Sequence, residues 1–236
     1  RFYCQTEAIR ERVASQIGIR PEKIGFCPPG VEPLVPPVVS PKVEQLFEKL
    51  DAEQHVFFYP ARCYAHKNHR LILETYRKYR SELSDTRCVW TIAPEQHAIA
   101  KELLDDLERS KLDDLILNVG PLSRGEVAAC FERSDALVMP TKLETFGIPF
   151  IEAMQHRVGI ITTDYDFIRS VCGDAALYVE QPDCPNLLFD SMREYISNRE
   201  LREKLLNAGS DIVGQCPTWR QVLTKVMQEE GLHIEG

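Results

Sequence analysis

An α/β fold with a doubly wound parallel sheet is what this sequence predicts, on three observations. Short apolar runs recur at residues 24–27, 56–60, 88–92, 115–119, 136–139, 159–163 and 177–179. Most are continuously apolar rather than alternating, as strands covered on both faces are. The segments between them carry apolar residues at helical spacing, and strand–helix alternation over such a length builds βαβ units.

Taken in order, residues 2–4 read as a strand stub and 5–17 as a helix. Pro28-Pro29-Gly30 and the prolines within 33–41 make a passage more like a linker than a core. Residues 1–20 therefore read as the end of a preceding domain, and 21–41 as a crossing segment with the first strand. A main domain spans 42–215. Within it, Leu71, Ile72, Tyr76, Tyr79 and Leu83 recur at helical spacing over 68–83. Ser123-Arg124-Gly125-Glu126 has the form of a capping box ahead of Val127, Cys130 and Phe131. After Leu187 the pattern is helical, with Asn207-Ala208-Gly209 as a helix stop. A last amphipathic helix covers about 218–230, within a C-terminal unit of 216–236.

Composition narrows the classes. The chain has 236 residues, 44% hydrophobic and 27% charged, which excludes wholesale disorder. A net charge of −8 argues against nonspecific nucleic-acid binding, which needs clustered Lys and Arg. No run approaches the roughly 18 apolar residues of a membrane span, and the first residues lack the order of a signal peptide. Eight cysteines form no C-x-x-C, against a zinc ribbon, and several sit in apolar runs as reduced, cytosolic thiols would. G-x-G-x-x-G, the P-loop, G-x-S-x-G and H-E-x-x-H are all absent. A ligand must then be met by other means at the carboxyl ends of the strands.

Three strand ends carry chemistry. After the run at 56–60 come Arg62 and Lys67, a planar fork and a point charge suited to phosphate oxygens, or else a solvated loop. His66 and His69 in the same stretch are a weak metal pair without a third ligand. After the run at 136–139, Gly147 permits a close backbone approach. Pro149 suits the first turn of a helix, whose free N–H groups make an anion site. Glu144 and Glu152 flank that turn. They suit the hydroxyls of a sugar or ribose, or else are a loop charge and a helix-dipole partner. After the run at 159–163, Asp164-Tyr165-Asp166 can chelate a divalent metal or serve as loop and cap residues.

The stretch Pro140-Thr141-Lys142-Leu143-Glu144-Thr145-Phe146-Gly147-Ile148-Pro149-Phe150-Ile151-Glu152-Ala153-Met154 resembles the E-x7-E passage of the large group 1 family of retaining GT-B glycosyltransferases. Ala61-Arg62…Lys67-Asn68 resembles the family's G-R-x-x-x-x-K-N. Gly120-Pro121…Ser134-Asp135…Pro140, Gly173-Asp174-Ala175-Ala176-Leu177-Tyr178-Val179 and Thr218-Trp219 also fit, and the start resembles the crossing out of an N-terminal domain.

The resemblance implies the Rossmann-like C-terminal, donor-binding half of a GT-B architecture. It implies that Arg62 and Lys67 hold the diphosphate of a UDP- or GDP-sugar, with Glu144 on the sugar and Glu152 on the ribose. Thr145, Phe146, Gly147 and Ile148 would face sugar and phosphate, and Gly120, Pro121 and Leu122 the base. Arg62, Lys67 and Glu144 would be catalytic, with no metal and no cofactor. The sugar would pass with retention to a glycan or lipid-linked acceptor on an N-terminal domain absent here, leaving this piece inactive alone. The setting would be cytoplasmic, peripheral at the membrane through that domain. A stand-alone donor-binding subunit working with a partner chain, and a GT-B epimerase or phosphorylase, are the alternatives. Ala61 replaces the family's glycine, Arg157-Val158-Gly159 its G-x-P, and Arg169-Ser170-Val171 its R-E-V.

Overall fold

A computed structural model describes residues 2–232. Strand β1 (Phe2–Cys4), helix α1 (Glu7–Ile17) and strand β2 (Ile24–Phe26) form a small βαβ unit whose two strands pair in parallel. The 24–27 run thus makes its own two-stranded sheet instead of joining the main one, because its partner is Phe2–Cys4.

The main sheet begins after helix α2 (Pro41–Phe47), capped by Ser40. Strand β3 (His55–Tyr59), helix α3 (His69–Lys78), strand β4 (Thr86–Trp90), helix α4 (Ala98–Arg109) and strand β5 (Ile116–Asn118) build outward in one direction. Helix α5 (Arg124–Glu132) returns the chain to β6 (Ala136–Met139), which pairs with β3. Helix α6 (Ile148–Gln155), strand β7 (Gly159–Thr163), helix α7 (Asp166–Cys172) and strand β8 (Leu177–Val179) then build the other way. All six strands are parallel, in the order β5-β4-β3-β6-β7-β8. The order reverses between β3 and β6, so the loops leaving those two strands diverge and open a crevice at their carboxyl ends.

The core runs through the sheet: Phe57, Phe58, Tyr59, Leu137, Val138 and Met139 are all fully buried. Helices on both faces explain why these strands read as unbroken apolar runs. The Ser123 capping box forms, and a second one forms at Thr218 with Gln221.

Several boundaries differ from the sequence reading. Strand β4 starts two residues early, because Thr86 is buried and bonds Tyr76. Helix α3 stops at Lys78. Tyr79 stacks on Phe189, 4.0 Å between centroids, and Leu83 fills the core from the following turn. The apolar spacing thus marks buried positions past the helix end.

The stop at 207–209 does not occur. Helix α8 (Pro185–Ser197) is followed by α9 (Arg199–Gln215), which runs straight through Gly209. A Cβ there would stand 3.0 Å from Met154 Cγ, so Gly209 serves the close packing of α9 on α6. Helix α10 (Trp219–Glu229) lies against the first βαβ unit, with Lys225 donating to the Phe26 carbonyl. Val31 N–H donates to the Pro217 carbonyl beside it.

Candidate functional site

The crevice at the β3/β6 divergence holds most of the residues singled out. The loop after β3 carries Arg62 and Lys67. Arg62 is exposed, and among the described residues its guanidinium has no ion pair or hydrogen bond. Lys67 instead closes on the loop after β6, where its ammonium pairs with Glu144 Oε1. Its backbone is pinned from below, since the Tyr59 hydroxyl donates to the Lys67 carbonyl at 2.8 Å. Asn68 follows in the left-handed region at φ +55° and donates to the Pro182 carbonyl. Two contacts between Lys142 N–H or Thr141 Oγ and the His66 carbonyl knit the two loops together.

Gly147 caps α6 at φ +82°, and a Cβ on it would lie 2.5 Å from the Phe150 ring. Only glycine fits that turn without displacing Phe150. No side chain caps α6; Pro149 has no N–H and Phe150 N–H donates to the Gly147 carbonyl at 2.9 Å, which leaves the Ile148 amide without a partner among the described residues.

Two adjoining cavities divide the remaining residues. One, of about 250 Å³, is lined by Phe146, Ile148, Glu152, Arg124, Glu32 and Trp219. The other, of about 480 Å³, is lined by Arg62, Pro121, Leu122, Thr91 and Gln96. Val127 lines both. Lys67, Gly120, Glu144, Thr145 and Gly147 line neither; Thr145 is exposed and Gly120 turns the chain at φ +69°.

Burial lifts the Glu152 carboxyl above its ordinary range; Arg124 opposes the shift and Glu32 adds to it. Arg124 is itself paired with Glu32 at 2.6 Å, and Gln155 holds the Glu32 carbonyl at 2.8 Å. Arg124 was visible in the sequence only as part of a capping box, and Glu32 was not singled out.

The residues of the two metal readings have other neighbours. His69 is buried, stacked on Tyr59 at 4.3 Å and edge-on to Trp90 at 5.4 Å. Burial, with Lys67 nearby, depresses its pKa from 6.5 to about 3. His66 lies apart, stacked on Tyr64. Asp164 is gripped by both arms of Arg169, and Asp166 is bound by Arg12 from α1. These two carboxylates tie α7 to its surroundings. Among the described residues, no group of three or more His, Cys, Asp or Glu is placed to hold a metal ion. The eight cysteines are all unpaired.

Comparison with known proteins points one way. Residues 43–211 match the sequence model of the family described as glycosyl transferases group 1. The O-antigen chain mannosyltransferase RfbU of Salmonella typhimurium LT2 is 34% identical over 83 residues, 35% of this chain and 23% of that protein. A glycosyltransferase from Rickettsia africae shares the fold at a TM-score of 0.81 and 18% identity, over 96% of this chain and 62% of that one. Anabaena Alr3699/HepE, solved with UDP and glucose, superposes at 0.80 with 13% identity, over 97% of this chain and 62% of that one. The chain thus spans under two thirds of the length of these relatives. Among the described residues no helix is long and apolar enough to cross a membrane.

Proposed function

The chain belongs to the glycosyl transferases group 1 family, and from that premise we propose that it is the donor-binding part of a retaining transferase that uses a nucleoside-diphosphate sugar. The observation that carries this reading is the convergence at the β3/β6 divergence. An unpaired guanidinium, Arg62, and an ammonium, Lys67, stand on the loop leaving β3, and the uncapped amino end of α6 follows the loop leaving its neighbour β6. Positive groups fixed in advance around a diphosphate stabilise the charge that builds on it as the sugar–phosphate bond breaks.

In this reading Arg62 and Lys67 take the diphosphate, Glu144 a hydroxyl of the donor sugar and Glu152 the ribose. Pro121 and Leu122, in the cavity beside Arg62, face the base, with Gly120 setting their turn. The amides from Thr145 to Ile148 face sugar and phosphate. The UDP and glucose bound by HepE and the mannosyltransferase name of RfbU support a hexosyl donor, carried in this reading on UDP or GDP. The acceptor, a glycan or lipid-linked saccharide, is held by a further domain, so this chain binds donor without transferring sugar by itself. The two cations serve the diphosphate in place of a divalent metal.

A thermal-shift panel of UDP, GDP, ADP and their sugars tests the reading, with EDTA against Mn²⁺ in parallel. Ligand at about 100 times Kd should add roughly 2.7 kcal/mol. No shift with any nucleotide, or robust sugar transfer by the isolated chain, would contradict it. A tenfold gain from Mn²⁺ would contradict the metal-free part alone.

A further inference from the structure

Thr141 is fully buried at the end of β6, and every polar group on it is engaged. Its N–H donates to the Met139 carbonyl at 2.8 Å, and its carbonyl accepts from the Thr163 hydroxyl. Its own hydroxyl lies 3.1 Å from Glu144 Oε1, 3.1 Å from the Leu143 carbonyl and 3.2 Å from the His66 carbonyl. A hydroxyl has one proton to give, and an ionised carboxylate is the strongest acceptor of the three.

Glu144 Oε1 is thereby held twice, by Thr141 and by Lys67, while Oε2 has no partner among the described residues. We propose that Thr141 is a positioning residue that fixes the Glu144 carboxylate so that Oε2 accepts from a hydroxyl of the donor sugar. The inference rests on the donor-site reading above. Lys67 cannot hold Glu144 at full strength once a diphosphate draws its charge. Thr141 can, because its backbone is anchored to β7 through Thr163 and takes no part in binding. The carboxylate then stays aimed when the cation turns away. The contact is local to the sugar, so it should leave the nucleotide untouched.

The test compares UDP with UDP-glucose, and GDP with GDP-mannose, by calorimetry; the pair bound more tightly by the wild-type chain is taken forward. Thr141→Val keeps the shape and removes the donor. It should bind the nucleotide sugar about tenfold more weakly, as loss of one bond to a charged group implies, and the nucleoside diphosphate about as well as wild type. Thr141→Ser should restore sugar binding. In a Glu144→Ala background, Thr141→Val should add no further loss.

Thr141→Cys, with only a weak S–H donor, supplies the same comparison should the valine variant fail to fold. Equal loss for both ligands, no loss for either, or an undiminished effect without Glu144 would overturn the positioning role while the donor-site reading stood. If the wild-type chain binds none of the four nucleotides, the donor-site reading itself fails and the role of Thr141 with it.

Discussion

Lys67 and Glu144, 77 residues apart in the chain, form an ion pair across the crevice, with side chains only 16% and 12% exposed. In the donor-site reading, the cation offered to a diphosphate is already partly neutralised by the carboxylate offered to a sugar. On that reading the two roles are coupled: drawing Lys67 toward phosphate would release Glu144, and removing Glu144 would leave Lys67 free.

That coupling predicts opposite effects of Glu144→Gln on two ligands. The bare nucleoside diphosphate should bind about fivefold more tightly, because a repelling charge worth roughly 1 kcal/mol is gone. The nucleotide sugar should gain less or bind more weakly, since amide replaces carboxylate at the sugar. Calorimetry with both ligands checks the divergence; parallel changes would show that Glu144 does not contact the sugar.

Arg62→Ala should separate binding from stability. Arg62 is exposed and unpaired among the described residues, so its loss should shift unfolding by less than about 0.5 kcal/mol. The nucleoside diphosphate should weaken by about one to two orders of magnitude, the worth of a bond to a charged group. The bare nucleoside should be nearly unaffected. Equal loss for nucleoside and diphosphate would place Arg62 away from the phosphates.

Glu152→Gln should trade binding for stability. Burial raises the Glu152 carboxyl above 4.5, so the folded state binds its proton more tightly than the unfolded chain does. The stability this group contributes is full below 4.5 and is lost as pH rises through the raised value. Gln removes that loss, so the variant should melt above wild type at pH 7 and no higher than wild type at pH 4. Nucleoside binding should fall in the same variant. Unchanged nucleoside affinity would reduce Glu152 to a partner of the helix dipole.

His69 sets an acid limit. Its pKa falls from 6.5 in the unfolded chain to about 3 in the core, so the unfolded state binds the extra proton between those values. Stability contributed by neutral His69 is present above 6.5 and is lost toward pH 3 at up to about 1.4 kcal/mol per unit. His69→Phe keeps the stack on Tyr59 and removes the proton. Urea midpoints at pH 7 and 4.5 should converge in the variant relative to wild type. An unchanged pH slope would mean the imidazole is protonated in the fold.

Much of this protein was determined by sequence alone. Burial on both faces makes β3, β6 and β7 continuous apolar runs, and strand–helix alternation makes the sheet parallel. Both are properties of neighbouring residues, so local pattern carries them. The Ser123 capping box and the turn at Gly147 belong to the same class, and so does the family likeness through residues 140–154. Other features needed the tertiary structure. Gly209 has the form of a helix stop, yet it lies inside α9, because a glycine serves close packing on Met154 as well as it serves a left-handed turn. Asp164 and Asp166 could read as a chelating pair or as loop and cap residues, and the fold pairs them with Arg169 and Arg12. His69 and Arg124 took their surroundings from residues distant in the chain, Trp90 and Glu32. The strand order places β3 beside β6, and only that adjacency turns a cation on one loop and a carboxylate on another into a pair.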